Sequence, residues 1–139
     1  MERSLSIPAR LSELSAVREA VIDFIGPGLD ETEKGRVVLT IDEAVSNVIT
    51  HGYNCDESKT VDIGMKSDHN SFTFIISDTA GEFNPLLSAP ADMGAYHEHG
   101  HSSGLGVDVY RRIMKVQYIR NAEGGNRLIL VKEKKNENQ

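Results

Sequence analysis

Ile41-Asp42-Glu43-Ala44-Val45-Ser46-Asn47-Val48-Ile49-Thr50-His51 sets a carboxylate and a carboxamide four residues apart inside an otherwise apolar segment. At about 100° per residue, Val37, Val38, Ile41, Ala44, Val45, Val48 and Ile49 collect into one broad apolar stripe of a helix. Thr40, Glu43, Asn47 and His51 form a second, polar stripe along one edge of it, while Asp42, Ser46 and Thr50 point elsewhere. A half-buried carboxylate and an amide oxygen on one helical edge can share a hard cation such as Mg²⁺, or divide the work of general base and metal ligand. The same pattern also describes an amphipathic helix whose boundary positions are polar, and from this segment alone both readings stand.

Outward from this helix, the bulk numbers bound the answer. A chain of 139 residues, 39% hydrophobic, builds one domain with a real core, so residues 1–139 are read as a single domain. A formal net charge of −6, with 15 Lys and Arg spread along the chain, offers no basic face to a nucleic-acid backbone or an anionic membrane. The single cysteine, Cys55, has no internal disulfide partner. With no signal peptide and no long apolar run in the sequence, a soluble cytoplasmic protein is expected.

Read coarsely, the chain begins with a strand near Leu5 to Pro8 and a helix from Ser12 to Ile25, with Leu14, Val17, Val21, Phe24 and Ile25 on its apolar face, stopped by Gly26-Pro27-Gly28. Asp30, with Glu33 three residues on, is the expected N-cap of the second helix, which Gly52 ends. Val61, Ile63 and Met65 alternate with polar partners over Thr60 to Lys66, and Phe72, Phe74 and Ile76 do so over Ser71 to Asp78, across an Asp68-His69-Asn70 turn. The irregular stretch from Thr79 to Ser103 is too long for an ordinary connection. A third helix over Gly104 to Met114 precedes a hairpin of Lys115 to Ala122 and Asn126 to Glu133 around Glu123-Gly124-Gly125, with a frayed tail over 134–139. This order predicts an α/β (α+β) two-layer sandwich: one mainly antiparallel mixed sheet with helices on one face.

Two more features fall on this map. Asp78 shares the parity of Phe72, Phe74 and Ile76, so its carboxylate points toward the buried face and wants a donor; a strand-end Asp is equally a turn former or cap partner. Ser102-Ser103-Gly104-Leu105-Gly106 opens a helix, where glycines admit close backbone approach and unpaired N–H groups hold phosphates. A tight loop with a serine N-cap explains the same residues.

Together, Asp42-Glu43-Ala44-Val45-Ser46-Asn47 through His51-Gly52-Tyr53, then Asp78-Thr79-Ala80-Gly81-Glu82-Phe83-Asn84-Pro85-Leu86, then Ser103-Gly104-Leu105-Gly106, resemble the ordered N box, adenine loop and glycine loop of the gyrase, heat-shock chaperone, histidine kinase and mismatch-repair ATPase superfamily. Within it the chain is most similar to the compact bacterial anti-sigma-factor serine/threonine kinases. The resemblance runs from the first strand to Gly124-Gly125-Asn126 and the strand after it.

The resemblance implies a Bergerat-type ATP-binding fold, often paired as a homodimer, with ATP and Mg²⁺ as cofactors. Asn47 then ligates Mg²⁺, and Glu43 acts as base or polariser toward the attacking hydroxyl. Asp78 accepts the adenine amine, Gly81 lets the loop pass close to the base, and the amides of Gly104, Leu105 and Gly106 surround the phosphates. His51, Phe83, Ser103 and Asn126 complete the implied nucleotide contacts, and 84–103 becomes an ATP lid. The implied partners are an anti-sigma-factor antagonist, as phosphorylation substrate, and a sigma factor in the alternative state of a partner switch, with no nucleic acid or membrane bound directly. Departures from the family pattern are Ala80 where many relatives place a glycine, Ser103 where a further glycine is common, and Asn126 where some relatives have threonine.

Three other readings remain open on the sequence. One is a nucleotide-dependent anti-sigma binding module without transfer activity, against which Glu43 argues. Another is a detached histidine-kinase ATPase domain, which lacks room here for a preceding phospho-accepting helical hairpin. The third takes His97, His99 and His101 in the lid as zinc ligands; a solvated lid surface is the plainer account.

Overall fold

The computed structural model describes residues 1–82 and 113–134. Strand β1 (Glu2–Pro8) leads through a short turn of 3-10 helix to helix α1 (Leu14–Ile25). The Gly26–Gly28 breaker separates it from helix α2 (Glu31–Asn47), after which come β2 (Thr60–Ser67), β3 (Ser71–Asp78), β4 (Lys115–Arg120) and β5 (Asn126–Glu133). The five strands form one sheet in the order β1-β2-β3-β5-β4, and every pairing among the described residues is antiparallel.

Alternation decides which face the helices cover. Val61, Ile63 and Met65 of β2, Phe72, Phe74 and Ile76 of β3, and Leu128 and Leu130 of β5 are all buried, whereas the residues between them are not. Against this face α1 sets Val17, Val21, Phe24 and Ile25, and α2 sets Val37, Ile41, Ala44 and Val45. Phe24 meets the rings of Phe72 and Phe74 edge-on at 6.2 and 6.5 Å, the arrangement that ring quadrupoles favour. Each large side chain taken from water here is worth about 1.5–3 kcal/mol, so the helix layer and the sheet are held mainly by this face.

Local signals set the element ends. Asp30 accepts a hydrogen bond from the backbone N–H of Glu33 at 2.7 Å, which makes it the N-cap the sequence predicts. The segment Asp68–Ser71 turns because the Asp68 carboxylate takes the N–H groups of Asn70 and Ser71, at 2.7 and 2.8 Å. Strand β1 starts three residues earlier than its apolar alternation implies, since Glu2, Arg3 and Ser4 pair through backbone with Lys66, Met65 and Gly64 of β2. That pairing needs no apolar side chain, so hydrophobic periodicity misses it. Strand β4 ends at Arg120, two residues earlier than expected, because Asn121 already donates to Gly125 within the turn.

The end of α2 also departs from expectation. Instead of continuing as α-helix to His51-Gly52, the chain widens into a π-helical turn over Val48–Gly52. The N–H of Tyr53 reaches back to the carbonyl of Val48 at 2.9 Å, and the Tyr53 ring is buried. Such turns are uncommon and recur at functional sites. The predicted third helix lies outside the described residues except for its end at Ile113 and Met114, where Met114 is buried.

Candidate functional site

The polar stripe of α2 runs from core to solvent. Thr40 is fully buried and returns its hydroxyl to the carbonyl of Arg36 at 2.8 Å; Glu43 is half-buried; Asn47 is 4% exposed; His51 stands exposed in the wide turn. Burial, first, and the charge of neighbouring Asp42, second, hold the Glu43 carboxyl above the ordinary range of a glutamate. Asp42 itself is paired with Arg18 of α1 at 2.7 Å. A carboxylate made more basic, one helical turn before a buried carboxamide, can take a proton beside a cation that the amide oxygen holds.

A second set of polar groups gathers where β3 and β4 end and β5 begins. Asp78, 9% exposed, sits directly across the β3–β5 ladder from Asn126, 4% exposed. Oδ1 of Asp78 accepts from the backbone N–H of Ala80 at 2.9 Å and from Nδ2 of Asn126 at 2.9 Å. Among the described residues Oδ2 takes no protein donor, and none of their buried polar side-chain atoms is left unpaired, so Oδ2 is the oxygen that reaches the surface. The other Nδ2 proton of Asn126 goes to the carbonyl of Gly81 at 2.9 Å. Its Oδ1 accepts from the hydroxyl of Tyr118 and, at 3.3 Å, from Nη1 of Arg120, which also donates to the carbonyl of Ala80 at 2.8 Å.

The loop from Asp78 to Gly81 is therefore held at every residue. The Tyr53 hydroxyl receives the N–H of Thr79 at 2.7 Å and donates to the carbonyl of Thr60 at 2.8 Å, which ties the loop to the turn that ends α2. A Cβ on Gly52 would touch the Ala80 methyl at 3.4 Å, so the alanine that departs from the family pattern packs over a glycine of the same turn. Among the described residues nothing lies within 4 Å of where a Cβ on Gly81 would stand. The result is a loop fixed at each residue, in which Oδ2 of Asp78 takes no donor among the described residues.

Of the residues singled out in the sequence, the structure thus joins Asp78, Gly81 and Asn126 through direct hydrogen bonds and places Glu43, Asn47 and His51 along the neighbouring helix. Phe83, Ser103, Gly104, Leu105, Gly106, the 84–103 lid and the histidines at 97, 99 and 101 lie outside the described residues. Among the described residues no three His, Cys, Asp or Glu side chains gather into a metal cluster, and no helix is long and apolar enough to cross a membrane.

Sequence reasoning missed Tyr53, Tyr118, Arg120 and Gly125. The parity argument that flagged Asp78 applies also to β4, where Val116, Tyr118 and Arg120 lie on the face of their buried β5 partners Leu130, Leu128 and Asn126; Arg120 is itself exposed at the strand end, and an arginine on that face wants an acceptor as an aspartate wants a donor.

A profile of the histidine-kinase-like ATPase domain matches residues 7–132, from the last two residues of β1 to within one residue of the end of β5, with both helices and the whole Asp78 loop between them. The chain belongs to this family. Among its relatives are the anti-sigma F factors of Clostridium perfringens strains SM101 and ATCC 13124, each 26% identical over 117 residues, covering 84% of this chain and 82% of the relative. The fold is shared with the RsbU and RsbW domains of Rv1364c from Mycobacterium tuberculosis, at a TM-score of 0.68 and 15% identity, covering 98% of this chain. This chain spans 33% of that longer protein. It is shared too with a chain of the SiaB-SiaC complex from Pseudomonas aeruginosa, at a TM-score of 0.63 and 13% identity, covering 94% of this chain and 89% of the other. An ATPase domain implies ATP as the nucleotide.

Proposed function

We propose that this histidine-kinase-like ATPase domain is an ATP-dependent serine/threonine protein kinase that phosphorylates an anti-sigma-factor antagonist and holds a sigma factor in the alternative state of a partner switch. The observation that carries the nucleotide half of this reading is the carboxylate of Asp78, with Oδ1 committed to Ala80 and Asn126 and Oδ2 taking no donor among the described residues. A carboxylate oxygen is an acceptor only, and the exocyclic amine of adenine is a donor that fits it. Guanine, with a carbonyl at that position, would face it acceptor to acceptor.

The transfer half rests on α2. Asn47 offers a hard amide oxygen on a buried helical edge, which suits Mg²⁺. When bound, Mg²⁺ would neutralise phosphate charge and orient the γ phosphate. Glu43, made more basic by burial, would take the proton from the attacking serine or threonine hydroxyl. Gly104, Leu105, Gly106 and Ser103 are proposed to supply phosphate contacts from their loop, with Phe83 and His51 flanking the nucleotide. The anti-sigma relatives favour an antagonist protein as substrate; a cytoplasmic setting and a homodimer as the working unit are proposed with it from the family resemblance.

The test is transfer of radiolabelled phosphate from ATP to proteins that co-purify with the chain and are encoded beside it. Labelling of a small partner on serine or threonine is the expected result. Nucleotide-controlled partner binding with no label in any partner would favour the binding-module reading.

A further inference from the structure

Asn126 is held by the protein at every hydrogen-bonding position its amide has. Nδ2 gives one proton to Asp78 and the other to the Gly81 carbonyl, while Oδ1 receives Tyr118 and Arg120. The orientation of the amide is dictated by its neighbours' chemistry. A guanidinium only donates, so the oxygen must face Arg120; a carboxylate and a carbonyl only accept, so the nitrogen must face Asp78 and Gly81. Turning the amide over would set its oxygen against two acceptors and its NH₂ against the Arg120 donor, with only the Tyr118 hydroxyl able to adapt by accepting.

From this geometry we infer that Tyr118 and Arg120 are positioning residues for recognition of the adenine amine: they lock the Asn126 amide, which occupies Oδ1 of Asp78 and leaves Oδ2 aimed at the ligand. Asn126 then acts on the nucleotide through Asp78 rather than by touching it. Arg120 acts twice, since the same Nη1 also fixes the Ala80 carbonyl and so the loop that carries Gly81. Without the two donors of β4, the amide is held only from the side of Asp78 and Gly81, its hold on Oδ1 loosens, and the carboxylate is less firmly oriented. The inference rests on the reading that Asp78 meets the 6-amine of adenine.

The test compares ATP with purine riboside triphosphate, which lacks only that amine, by calorimetry on the full chain and on Tyr118→Phe, Arg120→Ala and Arg120→Lys. The parent should prefer ATP by roughly tenfold or more, the range expected of a hydrogen bond to a charged group. Tyr118→Phe and Arg120→Ala should each compress that preference about three- to tenfold by weakening ATP while leaving the analogue unchanged. Arg120→Lys, which can still donate to Ala80 and Asn126, should restore most of it. A merely structural role would weaken both nucleotides together and keep their ratio, and that result overturns the inference. A parent that does not distinguish the two nucleotides overturns the adenine reading of Asp78 itself, and this inference with it. One measurement stands apart from ligand binding. In the nucleotide-free parent the Asn126 side-chain NH₂ should show two sharp, slowly exchanging proton resonances, and the Tyr118→Phe and Arg120→Ala chains should exchange them faster; unchanged exchange also overturns the proposal.

Discussion

Gly125 lies so close to Asp78 that a Cβ on the glycine would stand 2.2 Å from the Asp78 carbonyl oxygen. Its φ of +96° is also one that L side chains rarely adopt. The start of β5 can therefore approach the end of β3, and Asn126 can reach Oδ1 of Asp78, only because residue 125 has no side chain.

Gly125→Ala should cost about 2–4 kcal/mol of stability, since it adds a backbone clash to positive-φ strain. Gly124→Ala is the control: its φ is +103° but among the described residues nothing lies within 4 Å of its Cβ position. It should lose about 1–2 kcal/mol from strain alone and leave nucleotide affinity intact. Chemical denaturation of both variants checks the order; equal losses would mean that close approach to Asp78 contributes nothing.

Asp78→Asn should weaken ATP and ADP alike. The two donors at Oδ1, Ala80 N–H and Asn126 Nδ2, draw the new carbonyl oxygen to their side, so the new NH₂ takes the place of Oδ2 and faces the adenine amine donor to donor. Loss of a hydrogen bond to a charged acceptor is worth about 1.5–3 kcal/mol, or tenfold to a hundredfold in affinity. Calorimetry showing parent-like ATP binding would leave Asp78 as a turn residue only.

Asn47→Ala should abolish the tightening of ATP binding by Mg²⁺, because alanine offers no hard ligand, while metal-free nucleotide binding persists. Titrating ATP with and without Mg²⁺ on both proteins measures the difference. If Mg²⁺ tightens the variant as much as the parent, the metal is held elsewhere.

Glu43→Gln keeps the shape of the side chain and removes the base. Phosphate transfer to the partner should fall about 10²- to 10⁴-fold with nucleotide and partner binding little changed. Parent-rate transfer by the variant would assign the proton to another group.

The same substitution makes a separate statement about pH. Burial raises the Glu43 pKa above its unfolded value of 4.5, so the folded state binds the proton more tightly than the unfolded chain does. The charged carboxylate is thus a net cost to folding at pH above both values, and that cost fades as pH falls through the folded value and is gone below the unfolded one. Glu43→Gln should therefore melt higher than the parent at about pH 7.5 and lose that advantage near about pH 4. A difference in melting temperature that does not vary with pH would place its origin outside this ionisation.

Much of the site was legible because its signals are local. The edge shared by Glu43 and Asn47 follows from helical periodicity, and the N-cap at Asp30 from a side chain three residues from the N–H it satisfies. The inward carboxylate of Asp78 follows from strand parity, a rule that needs no knowledge of any other strand. Parity states which way a side chain points and is silent about what it meets. That Asp78 meets Asn126, 48 residues away, depends on β3 and β5 pairing in one particular register. That Arg120 closes on Ala80, 40 residues distant, depends on β4 lying outside β5. The wide turn at Val48–Gly52, which ties Tyr53 to Thr79, likewise appears only once the helix end is packed against the sheet. Sequence by itself determined the directions of these side chains, since backbone geometry repeats over a few residues. Tertiary structure alone decided their partners, because strand order and register are chosen by burial of the whole apolar face at once.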